Sequence, residues 1–334
     1  MLPLIFGLSG PELSDDERAF FREADPAGVI LFGRNVGDPA QLRALTDELR
    51  AVSGRDDILI LIDQEGGRVA RLQPPHWPAF PAQARFGELY ARAPISGLEA
   101  ARANAAAIGA VLAAAGINVT CLPVLDLLHA GAHSIIGDRA FGGDPVAAAS
   151  LGRAVLDGLA QAGVAGVIKH MPGQGRAAAD SHAELPFVAA EAAALAEDIG
   201  AFERLAGRAQ IGMTAHVVYE AWDATRPATL SPVVIEDTIR GAIGFDGLLL
   251  TDDIGMGALS GPLAGRGSAA LAAGCDIVLH CSGVLAEAEE LAAALPAIGT
   301  DAARRLAAAR GERPDGTPDL EAALAKRDTL LAMA

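Results

Sequence analysis

The chain has 334 residues, of which 51% are hydrophobic and 20% charged, and its formal net charge is −16. This length permits one large domain or two ordinary ones, and the apolar content suffices for a large core. The acidic balance argues against a nucleic-acid partner, because such proteins need a basic face. Since only 4% of the residues are aromatic, we expect a core of Ala, Leu, Val and Ile.

Eight short apolar runs, rich in Val, Ile and Leu, recur along the chain and are predicted to be β-strands. In chain order they are Pro3–Leu8, Gly28–Gly33, Ile58–Asp63, Ile117–Pro123, Val164–His170, Gln210–His216, Leu248–Asp252 and Asp276–His280. The runs are apolar throughout rather than alternating, which is typical of a parallel sheet covered on both faces.

Helical patterns separate these strands. They cover Ser14–Glu23, Pro39–Val52, Leu98–Ala115, Pro145–Ala162, Ala189–Ala206, Pro232–Ile243 and Ser268–Ala273. Capping residues or a Pro at the first helical position mark helix starts at Ser14, Asp38-Pro39, Asp144-Pro145 and Ser231-Pro232. A glycine just before the next strand marks helix ends at Gly116, Gly163 and Gly274.

Repeated alternation of strand and helix predicts a parallel sheet. Eight such units fit a closed (β/α)8 TIM barrel, and an open doubly wound sheet is the alternative. We therefore predict an α/β protein with a single TIM-barrel domain over residues 1–334. Residues 285–334 are predicted to form extra C-terminal helices packed on the barrel.

Cysteine usage and the chain start indicate the compartment. The chain has three cysteines, Cys121, Cys275 and Cys281, which is too sparse for a disulfide framework and suits a reducing compartment. Cys121 and Cys275 lie in apolar runs and are expected to be buried. The start, Met1–Gly7, is predicted to be the first strand rather than a signal peptide, and no apolar run could span a bilayer. We expect a cytoplasmic protein with no membrane partner; the oligomeric state stays open.

Titratable residues recur at the carboxyl ends of the predicted strands. They are Asp63, Asp126, Lys169, His170, His216, Asp252, Asp253 and His280. In (β/α)8 enzymes the active site is built at this end by the loops that follow the strands. Any one of these residues could be a buried structural group, but their recurrence at one end predicts a functional site.

Two segments carry the densest polar chemistry. Lys169–Gly175 joins a Lys and a His to a Pro/Gly-rich turn, and Asp180-Ser181-His182 follows it. Asp63–Arg71 contains a strand-end carboxylate, a Gly-Gly turn and two arginines. An Asp with arginines can hold a polyhydroxylated ligand, or it can form a structural ion pair at the base of a loop. Gly137–Gly142 supplies a further loop arginine, Arg139.

With these segments the chain resembles the NagZ-type β-N-acetylhexosaminidases of glycoside hydrolase family 3. The segments that carry the resemblance are Gly28–Asn35, Asp63–Arg71, Gly137–Gly142, Lys169–His182 and Leu250–Met256, in the order of the family. One departure is Gln174, where the family usually has His or Asp between the two glycines of its turn. Ile254-Gly255-Met256 also differs from the more usual Leu-Ser-Met.

The resemblance implies a retaining glycosidase with Asp252 as nucleophile. Retention needs a carboxylate nucleophile and a second group that first protonates the leaving oxygen and then activates water. Asp253 is the rival nucleophile, but successive residues of a strand point to opposite sides, so only one of the two should face the site. The resemblance points to His182 as the acid/base and to Asp180 as its partner; imidazole exchanges protons near neutral pH.

The same resemblance implies the substrate-binding residues and the substrate class. Sugar contacts are expected from Asp63, Arg71, Arg139, Lys169 and His170, with His216 as a weaker candidate behind them. The implied substrate is a terminal β-linked N-acetylglucosamine on a cell-wall muropeptide, GlcNAc-1,6-anhydroMurNAc, in peptidoglycan recycling. We expect no cofactor, and none of the spacings forms a zinc motif.

Three other functions stay open from the residues alone. A metal-dependent amidohydrolase-like barrel would use His and Asp at strand ends, but it needs a His-x-His pair at the first strand, where this chain has Phe6-Gly7-Leu8. A β-N-acetylglucosaminide phosphorylase is chemically possible, because an imidazole acid/base does not repel phosphate. A sugar-binding protein without turnover is the third.

Overall fold

The structure is a computed structural model that describes residues 1–310 and 316–332. Within this part of the chain, eight parallel strands close into a barrel. They are β1 (Leu2–Gly7), β2 (Pro26–Leu31), β3 (Leu59–Ile62), β4 (Val119–Thr120), β5 (Ala165–Met171), β6 (Ile211–Thr214), β7 (Leu248–Asp253) and β8 (Ile277–His280). Each strand pairs with its sequence neighbours and β8 pairs with β1, which confirms the predicted (β/α)8 barrel and rules out the open sheet.

Helices surround the barrel. They are α1 (Asp15–Ala24), α2 (Pro39–Ser53), α3 (Gln83–Arg92), α4 (Pro94–Ala114), α5 (Pro145–Ala160), α6 (Ala192–Glu203), α7 (Leu263–Ala273), α8 (Leu285–Ala294), α9 (Thr300–Ala309) and α10 (Leu320–Leu331). The sequence analysis missed α3, and the helix predicted over Pro232–Ile243 is mainly a π-helix, Val234–Ala242. Two small two-stranded sheets lie outside the barrel: Gln64–Gly66 with Val69–Ala70, and Phe187–Val188 with Val218–Tyr219.

Local hydrogen bonds and backbone angles explain the helix ends that the sequence predicts correctly, whereas α4 begins at Pro94 rather than Leu98 and α7 at Leu263 rather than Ser268. The Ser14 hydroxyl accepts from the Glu17 N–H at 3.1 Å, and the Glu17 carboxylate accepts from the Ser14 N–H at 2.8 Å, which forms a capping box at the start of α1. At the ends of the helical segments, Gly116, Gly163 and Gly274 have φ values of 77°, 70° and 112°. Glycine suits these left-handed positions because it has no Cβ.

Each barrel strand buries both of its faces, which explains its unbroken apolar sequence. In β1, Ile5 points into the barrel interior, while Leu4 and Phe6 pack against the helices. In β3, Leu61 faces the interior and Ile60 faces the helices. A polar residue in the middle of such a strand would lose its hydration on either side, so polar groups collect at the strand ends.

The C-terminal helices within the described residues lie on different parts of the barrel. Helix α8 contacts β1, α9 contacts β7, and α10 packs mainly on α4. The single-domain assignment of residues 1–334, with 285–334 as C-terminal helices, stays a prediction, and residues 311–315 and 333–334 lie outside the described residues. Among the described residues, no helix is long and apolar enough to cross a membrane.

A buried carboxylate stabilises the amino-terminal end of the barrel. Asp276, at the start of β8, accepts from Arg240 at 2.8 Å, from Arg305 at 3.0 Å and from the Leu249 N–H at 2.9 Å. Its side chain is almost completely buried. These contacts join β7, β8, α9 and the π-helix.

Replacing Asp276 tests the role of this end of the barrel. Asp276→Ala leaves Arg240 and Arg305 without their shared buried partner, so we expect the free energy of unfolding to fall by about 3–5 kcal/mol. The kinetic constants should stay unchanged, since the active sites of such barrels lie at the opposite end. Urea unfolding measures the loss, and Asp246→Ala, which removes a largely exposed partner of Arg305, is the control with a small effect. An equal loss in both variants would contradict the assignment.

Candidate active site

A cavity of about 250 Å³ opens at the carboxyl ends of the strands. Seven of the eight site residues predicted from the sequence line it: Asp63, Arg71, Arg139, Lys169, His170, His182 and Asp252. The eighth, Asp180, contacts His182 instead. Apolar side chains of the barrel interior form the floor of the cavity: Ile30, Cys121, Met213 and Leu279.

Glu65 links two of the predicted sugar-binding cations. Its carboxylate lies 2.6 Å from Lys169 Nζ and 2.9 Å from both Nε and Nη2 of Arg139. Only 2% of the Glu65 side chain is exposed. The sequence analysis did not single out Glu65, although residues two apart in an extended chain share a side, so Asp63 at a site could have pointed to it.

Asp63 completes this charged network. It lies 3.3 Å from Lys169 Nζ and accepts from Arg71 Nη2 at 2.9 Å. The structural ion pair that the sequence left open is therefore formed, and both of its members still line the cavity. Two carboxylates and three cations compensate one another here, so their charges can be buried together.

The network keeps its members ionised. Burial alone would raise the pKa of Asp63 and Glu65, but the adjacent Lys169 holds both below their ordinary values, with help from Arg71 for Asp63 and from Arg139 for Glu65. Burial alone would lower the pKa of Lys169, but Glu65 and Asp63 raise it above its ordinary value. The cations therefore present fixed hydrogen-bond donors to the cavity without rearrangement.

His170 is oriented by Asp126 at the end of the neighbouring strand. His170 Nδ1 lies 2.6 Å from Asp126 Oδ2, and the backbone N–H groups of His170 and Gln174 donate to Asp126 Oδ1 at 3.2 and 2.7 Å. Because an ionised carboxylate only accepts, Nδ1 carries the proton. That orientation leaves Nε2 for a ligand in the cavity. Asp126, singled out by the sequence only as a strand-end residue, is thus a partner of the site.

The two aspartates at the end of β7 have different surroundings. Asp252 lines the cavity, and its Oδ1 accepts from the Asp253 N–H at 2.8 Å. Asp253 turns towards β8, where its Oδ1 accepts from the Gly255 and Cys281 N–H groups at 2.9 and 3.1 Å and lies 3.5 Å from His280 Nδ1. Burial would raise the pKa of Asp253, but His280 and the Gly255 N–H lower it.

His216 lies behind this strand end. It is fully buried, its Nδ1 is 2.7 Å from Thr229 Oγ1, and its Nε2 is 2.9 Å from the Asp253 carbonyl oxygen. The carbonyl can only accept, so Nε2 carries a proton. Burial lowers the pKa of His216, which favours the neutral ring. His216 thus contacts the backbone next to Asp252, and its weaker role behind the sugar contacts stays a prediction.

Asp180 and His182 form a pair on the loop after β5. His182 Nδ1 lies 2.8 Å from Asp180 Oδ1, which also accepts from the His182 N–H at 2.9 Å. Burial would raise the pKa of Asp180, but these two contacts lower it, so the carboxylate stays ionised. The His182 side chain is 63% exposed and lines the mouth of the cavity.

The ionised carboxylates of the network give a testable pH dependence. The folded-state pKa of Asp63 and Glu65 lies below the unfolded value of about 4, so their stabilisation is complete above that pH and is lost as the pH falls through the folded value. Glu65→Gln should therefore lower the free energy of unfolding by about 3 kcal/mol near neutral pH, and the difference should shrink in acid. Thermal unfolding across pH measures it.

The control for this variant is Asp138→Asn, which removes the half-exposed partner of Arg68 at the cavity rim. A small and pH-independent effect is expected there. A Glu65→Gln difference that stays constant from neutral to acid pH would contradict the charged network.

Known proteins resemble this chain in sequence over most of its length. Residues 6–308 match the glycosyl hydrolase family 3 N-terminal domain. A β-hexosaminidase of Alkalilimnicola ehrlichii is 43% identical over 284 residues, which cover 84% of this chain and 80% of that protein.

Two solved structures have the same fold. NagZ from Neisseria gonorrhoeae, in complex with N-trifluoroacetyl-D-glucosamine, has a TM-score of 0.85 at 30% identity and covers 99% of this chain and 96% of its own. A family 3 β-N-acetylglucosaminidase from Paenibacillus has a TM-score of 0.86 at 32% identity, covering 98% of this chain and 66% of that one. The chain therefore belongs to glycoside hydrolase family 3.

Proposed function

We propose that the protein is a retaining exo-β-N-acetylglucosaminidase that removes terminal β-linked N-acetylglucosamine. The observation that carries the proposal is one cavity that holds a carboxylate at its wall, Asp252, and a carboxylate-paired imidazole at its mouth, His182. This is the pair of groups that retaining hydrolysis requires. Family membership and relatives named β-hexosaminidase support the same activity.

Asp252 is the proposed nucleophile. It ends a buried strand, so its direction is set by the barrel, and the Asp253 N–H restrains one of its oxygens. It attacks the anomeric carbon and forms a glycosyl ester, while its charge stabilises the oxocarbenium-like transition state. Asp253 is the poorer candidate because its carboxylate is engaged by β8.

His182 is the proposed acid/base. In the first step its imidazolium donates a proton to the leaving oxygen; in the second its neutral ring takes a proton from water, which attacks the ester. Ionised Asp180 holds Nδ1–H and leaves Nε2 for these transfers. It also stabilises the imidazolium form when that form is needed.

The walls of the cavity suit a single terminal sugar. Asp63 accepts from sugar hydroxyls, while Lys169, Arg139 and Arg71 donate to them. The apolar floor closes the cavity at the barrel interior, so a chain end can enter but a chain cannot pass through. An N-acylglucosamine bound to the Neisseria relative supports the choice of sugar.

The physiological part of the proposal rests on resemblance. We infer a muropeptide substrate, GlcNAc-1,6-anhydroMurNAc, and a role in cytoplasmic peptidoglycan recycling. Arg68 and Ile135 also line the cavity, and we expect the aglycone to extend past them, outside the sugar pocket. Turnover of purified muropeptides, compared with chitobiose, tests this part separately from the chemistry.

Removal of the nucleophile tests the mechanism directly. Asp252→Ala should lower kcat for 4-nitrophenyl N-acetyl-β-glucosaminide by about 10⁴-fold or more, with an unchanged melting temperature. Asp253→Asn, which keeps the acceptor towards β8, should retain far more activity. NMR of the wild-type reaction should show the β-anomer as first product. An active Asp252→Ala beside a dead Asp253→Asn would reverse the assignment, and an α-anomer would exclude retention.

Removal of the acid/base should depend on the leaving group. His182→Ala should lower kcat/KM by about 10²–10⁴-fold for a poor leaving group such as phenol, but much less for 2,4-dinitrophenol, which departs without protonation. Azide should speed the second step of the variant, because it needs no general base. Near wild-type kinetics on both substrates would remove His182 from the mechanism.

Three rival functions can be tested alongside these kinetics. Growth of N-acetylglucosamine 1-phosphate with rising phosphate would indicate a phosphorylase, which an imidazole acid/base permits. Loss of activity in EDTA, restored by zinc, would indicate the amidohydrolase-like alternative. Binding without any turnover would indicate a sugar-binding protein.

A further inference from the structure

Gln174, the departure from the family pattern, contacts the acid/base loop. Its side chain is buried, and its Nε2 donates to Ser181 Oγ at 3.1 Å. Ser181 is the residue between Asp180 and His182. The backbone N–H of Gln174 is itself held by Asp126 at 2.7 Å. Gln174 thus connects the rigid end of β5 with the loop that carries His182.

The same loop is held from the opposite side by the segment that follows Asp252. The Gly257 N–H donates to the His182 carbonyl at 3.1 Å, and the Ala258 N–H donates to the Ser181 carbonyl at 3.1 Å. Residue 257 must be small: a Cβ there would lie 2.7 Å from the Ala183 oxygen and 2.9 Å from the His182 oxygen.

These contacts matter because the bonds inside the pair are local. Asp180 Oδ1 contacts the N–H and the ring of His182, two residues away, and these bonds would persist wherever the loop moved. The bonds from Gln174, Gly257 and Ala258, in contrast, join the loop to the barrel. They decide where the imidazole lies relative to the cavity.

We propose that Gln174 and Gly257 are positioning residues that hold His182 over the cavity. Gln174 restrains Ser181 from the β5 side, and Gly257 lets the His182 backbone dock on the segment after the nucleophile. The loop of His182 is thereby bound to the segment that follows Asp252, so the proposed proton donor and nucleophile are both placed at the same glycosidic bond. The inference rests on the proposed role of His182 as acid/base.

The consequence is a defect in proton transfer without a defect in sugar binding. A displaced imidazole costs most when the leaving oxygen must be protonated or when water must be activated. Small displacements of a reacting group are expensive, and about 1 Å can cost about 10²-fold in rate. The proposed sugar-binding residues Asp63, Lys169 and Arg139 are held by ion pairs that involve neither Gln174 nor Gly257, so affinity should not change.

The experiment compares Gln174→Leu, Ser181→Ala, their double variant and Gly257→Ala. Each should lose about 10–10²-fold in kcat/KM for the phenyl glycoside and keep most of its kcat/KM for the 2,4-dinitrophenyl glycoside. Azide, which acts in the second step, should restore the kcat that each variant loses. The Gln174 and Ser181 effects should not add, because both remove one hydrogen bond, and Ser181→Thr should restore most of the rate.

Controls separate positioning from folding. Gly265→Ala, in α7, places its Cβ in open space and should behave as wild type. The inhibition constant of N-acetylglucosamine should be unchanged in all variants, and the melting temperature should be unchanged in Gly265→Ala. Gly257→Ala should lower the melting temperature, because its Cβ meets backbone oxygens at 2.7 and 2.9 Å. All rates are therefore compared well below the unfolding temperature, and Gln174→Leu and Ser181→Ala test positioning without this clash.

The outcomes distinguish this inference from the proposed function. If His182→Ala shows the leaving-group dependence but Gln174→Leu and Gly257→Ala lose rate equally on both substrates, or lose none, the positioning role is overturned alone. If His182→Ala shows no such dependence, the acid/base assignment fails and the inference fails with it.

Discussion

The buried contact between Glu65 and Lys169 is the interaction on which the site depends. Glu65 follows β3 and Lys169 belongs to β5, so their 2.6 Å contact crosses the top of the barrel over β4. Arg139 joins the same carboxylate from the loop before α5. Without Glu65, two cations would crowd a cavity in which burial disfavours charge. With it, their donors are fixed before a ligand arrives, so binding of the proposed sugar need not order them.

Strand geometry places the side chains of the two aspartates of β7 in different surroundings. Successive side chains of a strand point to opposite sides, so Asp252 enters the cavity and Asp253 bonds to β8. His216 then holds the Asp253 carbonyl, and the Asp253 N–H holds Asp252. The Asp252 carboxylate is thus restrained by a backbone N–H and still faces the cavity, so little conformational entropy remains to be lost when it reacts. The same logic orients His170 through Asp126.

The proposed acid/base pair combines exposure with restraint. In the proposed mechanism His182 reaches a leaving oxygen and then a water, which requires a solvent-accessible ring, and its side chain is 63% exposed. Exposure alone would leave the position of the ring variable. The buried hydrogen bond of Gln174 with Ser181 and the docking of the loop on Gly257 restrain it. A substitution at Gln174 therefore alters more than the shape of a turn.

The sequence by itself determined the barrel and the end at which its site lies. Eight apolar runs, the caps at Ser14 and Asp144 and the glycines before strands are local signals, and local signals suffice for a repeating strand–helix fold. Polar residues at strand ends, such as Asp63 and Lys169, then indicated the site, because separate structural roles do not explain why they recur at one end of strand after strand. Helix α3 was missed, since its packing face is defined by neighbours from other parts of the fold, mainly α4 and also α5 and α10.

Only the tertiary structure decided which of these residues contact one another. Glu65 with Lys169, Asp126 with His170 and Gln174 with Ser181 are pairs made by strand neighbours and loop docking. Their members are 104, 44 and 7 residues apart in the chain. A sequence shows which residues can be charged or can donate, but which of them meet depends on the order of the strands in the barrel and on how each loop folds back. The direction of the Asp252 carboxylate was likewise set by the neighbouring strand, because β8 and the residue after it bind Asp253 and leave Asp252 for the cavity.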